Sequence, residues 1–116
     1  MKVRLKIWID HKGKAFGDGP YELLTRVEQT RSLHQAALQM KMSYSKAWRL
    51  IRTMEKRLGI PLLQRKVGGK FGGGSLITLE AKDLMARYEP FRKEAREAIE
   101  KIFQRYFYSS ERKKPK

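Results

Sequence analysis

Between Lys41 and Lys70 the chain carries nine cations and a single acid, Glu55. Six of the nine (Lys41, Lys46, Arg49, Arg52, Lys56 and Arg57) precede Gly59. The other three, Arg65, Lys66 and Lys70, are interleaved with Gly68, Gly69, Gly72, Gly73 and Gly74, five of the nine glycines in the chain. Guanidinium and ammonium groups donate strong hydrogen bonds to anionic oxygens. Glycine, lacking a Cβ, lets the backbone turn tightly and bring its own N–H groups close to the same oxygens. Such a set of groups suits a partner with many negative charges. It does not suit a nucleotide-binding phosphate loop, because Phe71 stands after Gly69-Lys70 where that loop needs Ser or Thr.

Composition narrows the partner. The 116 residues fit one domain, small enough that oligomerisation would help it bury apolar surface. Lys and Arg number 27 against 12 Asp and Glu, for a formal net charge of +15. A polyanion is the first candidate partner and an anionic membrane the second. The charge is local, since residues 18–40 hold three acids and two cations. With no cysteine there is no disulfide and no thiolate ligand or nucleophile. No apolar run approaches the ~20 residues of a membrane span, and the start, MKVRLKIWID, lacks the apolar core of a signal peptide. These features predict a soluble cytoplasmic protein. His11 and His34 fall in different elements with no carboxylate pattern beside them, so neither catalysis, a metal site nor a cofactor is expected.

The elements that would position the cations can be read from pattern. Val3, Leu5, Ile7 and Ile9 alternate with polar residues and Trp8, which predicts a strand turning at Lys12-Gly13 into Ala15-Phe16. Pro20 suits the first position of a helix running to about Thr30, with Leu23, Leu24 and Val27 inward. A short helix over Leu33–Met40, a turn at Lys41-Met42-Ser43 and a longer helix over Tyr44–Arg57 form a helix-turn-helix. Ser43 is its expected N-cap and Gly59 its C-terminal stop. Ala37 is small enough to let the two helices cross. Leu62–Lys66 and Leu76–Thr78 read as strands flanking the glycine loop, and Thr78 as the cap of a last helix. In that helix Ala81, Leu84, Tyr88, Phe91, Ala95, Ala98 and Ile102 are spaced alternately by three and four, a pairing stripe. Pro90 predicts a kink there, or two consecutive helices.

The fold class that follows is mainly α with a small β component: a winged helix-turn-helix with an N-terminal β-hairpin and a long C-terminal dimerisation helix. In that fold the second helix enters the major groove of double-stranded DNA. Its outward residues Ser43, Tyr44, Ser45, Lys46, Trp48, Arg49 and Arg52 are the candidates to reach base edges and phosphates. Trp48 could instead pack under the wing. Arg65, Lys66, Gly68, Gly69, Lys70, Gly72, Gly73 and Gly74 form the candidate wing on the backbone. Phe71 at its tip could plug against the protein or enter the minor groove. Pairing through Leu84, Tyr88, Phe91, Ala95, Ala98 and Ile102 would give a homodimer.

The strings SLHQAALQMKMSYSKAW, PLLQRKVGGKFGGGS and LITLEA, within residues 17–88, resemble the N-terminal DNA-binding domain of ModE-type molybdate-responsive regulators, relatives of LysR-type winged helices. The resemblance implies a recognition helix holding Ser43, Tyr44, Lys46, Trp48 and Arg49, a wing over Arg65–Gly74 and dimerisation by the last helix. Lys41 stands where the family usually has glycine, which implies a modestly strained backbone or a slightly different turn, and Ala81 replaces another frequent glycine. With the sequence ending at residue 116, the molybdate-binding domain of the longer regulators is expected to be absent. The organisation expected is a hairpin over 1–17, a winged helix-turn-helix over 18–78, a dimerisation helix over 79–108 and a basic disordered tail over 109–116. The function expected is a homodimeric, sequence-specific transcriptional regulator in the cytoplasm, on the nucleoid. The alternative is an architectural DNA-binding protein of low specificity, suggested by cations outside the motif such as Lys2, Arg4, Lys6 and Lys113.

Overall fold

A computed structural model describes residues 1–66 and 74–108. The glycine loop between Lys66 and Gly74, including Gly68, Gly69, Lys70, Phe71, Gly72 and Gly73, and the tail from Ser109 lie outside the described residues. In chain order the elements are β1 (Trp8–Asp10), β2 (Lys14–Gly17), α1 (Asp18–Thr30), α2 (Leu33–Gln39), α3 (Tyr44–Leu58), β3 (Leu63–Lys66), β4 (Gly74–Ile77) and α4 (Leu79–Phe107). No described helix is long and apolar enough to cross a membrane.

Three helices and the base of a hairpin enclose the core. Leu23, Leu24 and Val27 of α1 meet Leu33, Ala36 and Ala37 of α2 and Ala47, Ile51 and Met54 of α3. Leu62, Ile77 and the α4 residues Ala81, Met85 and Tyr88 close the remaining side. Ala37 and Ala47 have almost no exposure, consistent with small side chains where the helices cross. The turn after α2 is tight: the N–H groups of Met40 and Met42 both donate to the Ala37 carbonyl at 3.0 Å. Lys41 takes φ 57° in that turn, the left-handed backbone that costs an L-residue about 1–2 kcal/mol. Of the strained backbone and the altered turn that its standing in place of glycine implied, the left-handed φ is the first.

Helix boundaries follow the caps. Ser43 accepts from the Lys46 N–H at 3.1 Å and Thr78 from the Ala81 N–H at 3.0 Å, each satisfying an orphan donor. Gly59 ends α3 with φ 73°. Ser32 caps α2 in the same way, through the Gln35 N–H at 3.0 Å, a cap the sequence pattern did not single out.

Two expectations are corrected. The N-terminal strand is shorter than its alternation predicted, with β1 beginning only at Trp8 and pairing antiparallel with β2 (Trp8↔Gly17, Ile9↔Phe16). The period-two burial of residues 2–7 is real, Val3, Leu5 and Ile7 being half-buried and Lys2, Arg4 and Lys6 exposed. Its partner, however, is a helix, which offers no ladder of backbone groups. Val3 and Leu5 share a groove of about 530 Å³ with Arg96 and Ile99 of α4. At its start the Met1 ammonium donates to the Tyr108 hydroxyl at 2.6 Å. The second concerns Pro90: of the kink or two consecutive helices expected there, the division into two helices does not occur, Pro90 lying inside one continuous α4.

α4 is fastened to α1 by Asp18. The Tyr88 hydroxyl donates to Asp18 Oδ1 at 2.6 Å and Arg96 to Oδ2 at 2.9 Å, with Arg92 3.4 Å from Oδ1. The Tyr88 ring meets Phe16 edge-on at 5.1 Å. Burial works to raise the Asp18 pKa, but the hydrogen bonds from Tyr88 and Arg92 and the charges of Arg96 and Arg92 outweigh it, holding the carboxyl below its ordinary 3.8. Burial, and then Asp18 itself, push the Tyr88 phenol up. A depressed carboxyl stabilises the fold above its unfolded pKa and stops doing so as pH falls through the folded value. Asp18→Asn should therefore cost about 1–3 kcal/mol at neutral pH, and the difference from the parent should vanish well below pH 3.8. Thermal unfolding across that range checks it; a difference that persists in acid would refute the ionic account of this joint.

Candidate nucleic-acid interface

α3 buries Ala47, Ile51 and Met54, packs Trp48, Leu50 and Leu58 partly buried beside them, and presents the opposite face outward. Ser43, Tyr44, Ser45, Lys46, Arg49 and Arg52 are all exposed, as is Lys56 one turn further on. At about 100° per residue, Ser45, Arg49, Arg52 and Lys56 lie on the side of the helix opposite the core. Among the described residues Lys46, Arg49 and Lys56 have no carboxylate partner. Arg52 approaches Glu55 at 3.2 Å with its side chain 63 % exposed, a geometry of little energetic weight. The result is a cationic ridge open to solvent.

Trp48 takes the position between that ridge and the wing. It is half-buried, and its ring carries both the Arg52 guanidinium, at 4.7 Å, and that of Arg65 of β3, at 5.7 Å. Trp48 thus lies beside the wing strand. Tyr44 meets the His34 ring edge-on at 5.8 Å, and with Trp48, Arg65 and Ser75 these residues line a pocket of about 230 Å³ at the front of the molecule. Among the described residues no group of His, Asp and Glu could hold a metal ion.

The wing is a two-stranded antiparallel ribbon in register Leu63↔Ile77, Gln64↔Leu76, Arg65↔Ser75 and Lys66↔Gly74. Two ties hold its base. Glu55, the lone acid of the basic segment, turns inward from α3, and its Oε2 accepts the N–H groups of Leu62 at 2.8 Å and Leu63 at 3.2 Å. On the return strand, the Ser75 N–H donates to the Arg31 carbonyl at 3.0 Å. That approach needs Gly74, because a Cβ there would lie 2.8 Å from the same carbonyl oxygen. Of the candidate wing residues, Arg65 is exposed on β3 and Gly74 opens β4.

The expected pairing stripe divides. Tyr88 is 2 % exposed and belongs to the protomer's core through Phe16 and Asp18, so it is not available to a second chain. Leu84 and Ala95 are half-buried, while Phe91, Ala98 and Ile102 are exposed. Sequence reasoning missed Glu55 and Arg57 as positioning groups. Arg57 donates to the Lys14 carbonyl at 2.7 Å, joining α3 to the N-terminal hairpin. The only sequence signal for Glu55 was its isolation among cations.

A family model described as the bacterial regulatory helix-turn-helix protein of the lysR family matches residues 21–72. The chain is 38 % identical over 89 residues to the transcriptional regulator ModE of Haemophilus influenzae, covering 77 % of this chain and 32 % of that protein. It is 32 % identical over 93 residues to the molybdenum transport protein ModE of Azotobacter vinelandii, covering 80 % and 34 %. Against the DNA-binding transcriptional dual regulator ModE of Escherichia coli it is 29 % identical over 90 residues, covering 77 % and 34 %. The chain thus spans about a third of the length of the curated relatives it matches.

The Glu55 tie gives a test of how the wing is set. Glu55→Ala leaves two part-buried backbone donors without that partner and should cost about 1–3 kcal/mol. The amides of Leu62 and Leu63 should then exchange faster than those of the α3 interior. Unchanged exchange at both amides would show that Glu55 does not hold the wing.

Proposed function

Residues 21–72 carry the helix-turn-helix of the LysR family of bacterial regulators, in a chain similar over most of its length to ModE regulators, and from that premise we propose that the protein is a sequence-specific, homodimeric regulator of transcription acting on double-stranded DNA. Such regulators work in the cytoplasm, on the nucleoid, and no catalytic step is assigned. The observation that carries the reading is the solvent-open ridge of Ser45, Arg49, Arg52 and Lys56 on α3, opposite its buried stripe.

In this reading the N-terminal half of α3 lies in the major groove, where Arg49 donates to a guanine edge and Ser45 and Lys46 reach bases or phosphates. Tyr44 and Arg52 flank that contact. Arg65, with the neighbouring wing residues Lys66 and Lys70, lies on the adjoining phosphates. Dimerisation uses α4, whose core-facing residues end at Tyr88. Beyond it Phe91, Ile102, Tyr106 and Phe107 are 50 %, 41 %, 67 % and 51 % exposed, an apolar surface that a second copy would cover together with Ala98. Two recognition helices related by a two-fold axis then read the halves of a near-palindromic site.

The experiment is selection of duplexes from a random pool, followed by binding of the parent and Arg49→Ala to the best site. Arg49→Ala should lose about 1–3 kcal/mol per half-site and relax base preference at one position. In the same titration the site should saturate at two protomers per duplex. Unchanged affinity would remove Arg49 from the base contact, and saturation at one protomer would remove the dimer. Equal affinity for selected and random duplexes would favour an architectural, non-specific role instead.

A further inference from the structure

The N-terminal hairpin is the part of the basic surface that the recognition helix and wing leave unexplained, and its docking is specific. The Arg57 guanidinium donates to the Lys14 carbonyl at 2.7 Å and covers Gly13, where a Cβ would lie 2.7 Å from Arg57 Cζ. Trp48, by contrast, is the α3 residue that meets the wing strand. Trp48 and Arg57 are nine residues apart, which at about 100° each puts them on opposite flanks of α3. Arg49, Arg52 and Lys56 project between those flanks. The cationic ridge therefore has a β-ribbon on either side, the wing on one and the hairpin on the other.

The tip of that hairpin is charged at some cost. Lys12 holds φ 64°, a conformation that glycine or asparagine adopts more readily, and both Lys12 and Lys14 are exposed. The Lys14 ammonium is steadied over the Trp8 ring at 4.9 Å. The acid of the hairpin, Asp10, accepts the Gly13 N–H at 3.4 Å rather than pairing with either lysine.

We propose that the β1–β2 hairpin is a second wing, with Lys12 and Lys14 contacting DNA phosphates on the side of the recognition helix away from β3 and β4. The proposal rests on the DNA-binding reading above. It makes the contact three-part, a base-reading helix held between two phosphate grips, and extends the footprint past the C-terminal end of α3.

The test is the salt dependence of binding to a labelled mixed-sequence duplex several helical turns long, using the full chain. Lys12→Asn removes the charge while keeping a residue suited to left-handed backbone, so the hairpin stays folded. It should lower the slope of log affinity against log salt by about one unit per protomer. Lys14→Gln should act alike, and Lys93→Gln, on the exposed surface of α4, should leave the slope unchanged. An unaltered slope for Lys12→Asn overturns the proposal, as does an equal fall for Lys93→Gln, which would reflect net charge alone. A weakened dimer with an unaltered slope would assign the hairpin to a second copy instead. Failure of the parent to bind any duplex would remove the DNA-binding reading itself, an outcome distinct from loss of the hairpin contact alone.

Discussion

Everything in this fold depends on holding α3, a helix crowded with cations, against the domain. Ala47, Ile51 and Met54 are its fully buried residues, and Trp48, Leu50 and Leu58 pack partly buried beside them, a broad apolar face of the kind that seats a helix on a core. Polar ties fix its ends and flanks. Ser43 satisfies its N-terminus, Glu55 joins it to the start of β3, Arg57 joins it to the hairpin, and Trp48 lies against the wing strand. Each tie leaves the outer ridge free. A functional face can be uniformly cationic because positional control has been moved to the helix's flanks and ends.

α4 shows the same division of labour along its length. Its first three turns belong to the domain, with Ala81, Met85 and Tyr88 in the core and Asp18 gripping Tyr88, Arg92 and Arg96 from α1. Its second half carries exposed aromatic residues, bordered by the N-terminal segment from Met1 to Ile7. A rigid helix fixed at one end transmits the orientation of the domain to whatever meets the other. That geometry suits a dimer whose half-site spacing must be held to a helical turn of DNA.

Much of this was legible locally. Ser43, Gly59 and Thr78 act within a few residues of themselves, so their caps can be read from the chain, and the α2–α3 turn followed from the small Ala37 and the break at Lys41-Met42. What escaped was the long-range chemistry. Arg92 and Arg96 look like members of a solvated charged face, and only the folded chain brings Asp18, some seventy positions earlier, beside them. Residues 2–7 have the alternation of a strand, but alternation reports burial on one side and not the nature of the partner. Pro90 was read as a kink or a division into two helices because its ring opposes helical geometry. It is tolerated on the exposed side of a helix fastened by Tyr88 and Arg92 on either side of it. Glu55 was visible only as an exception to the surrounding charge, and its role required the position of the Leu62 and Leu63 amides.

The central claim is that DNA lies along the outer ridge of α3. Amide NMR of the isotope-labelled chain, titrated with a duplex, tests it residue by residue. The account predicts that the shifts concentrate in Ser43–Lys56, on β3 and at the β1–β2 turn, with the core-facing amides of α1 and the second half of α4 unmoved. Shifts concentrated on α4 with Ser43–Lys56 unperturbed would contradict it.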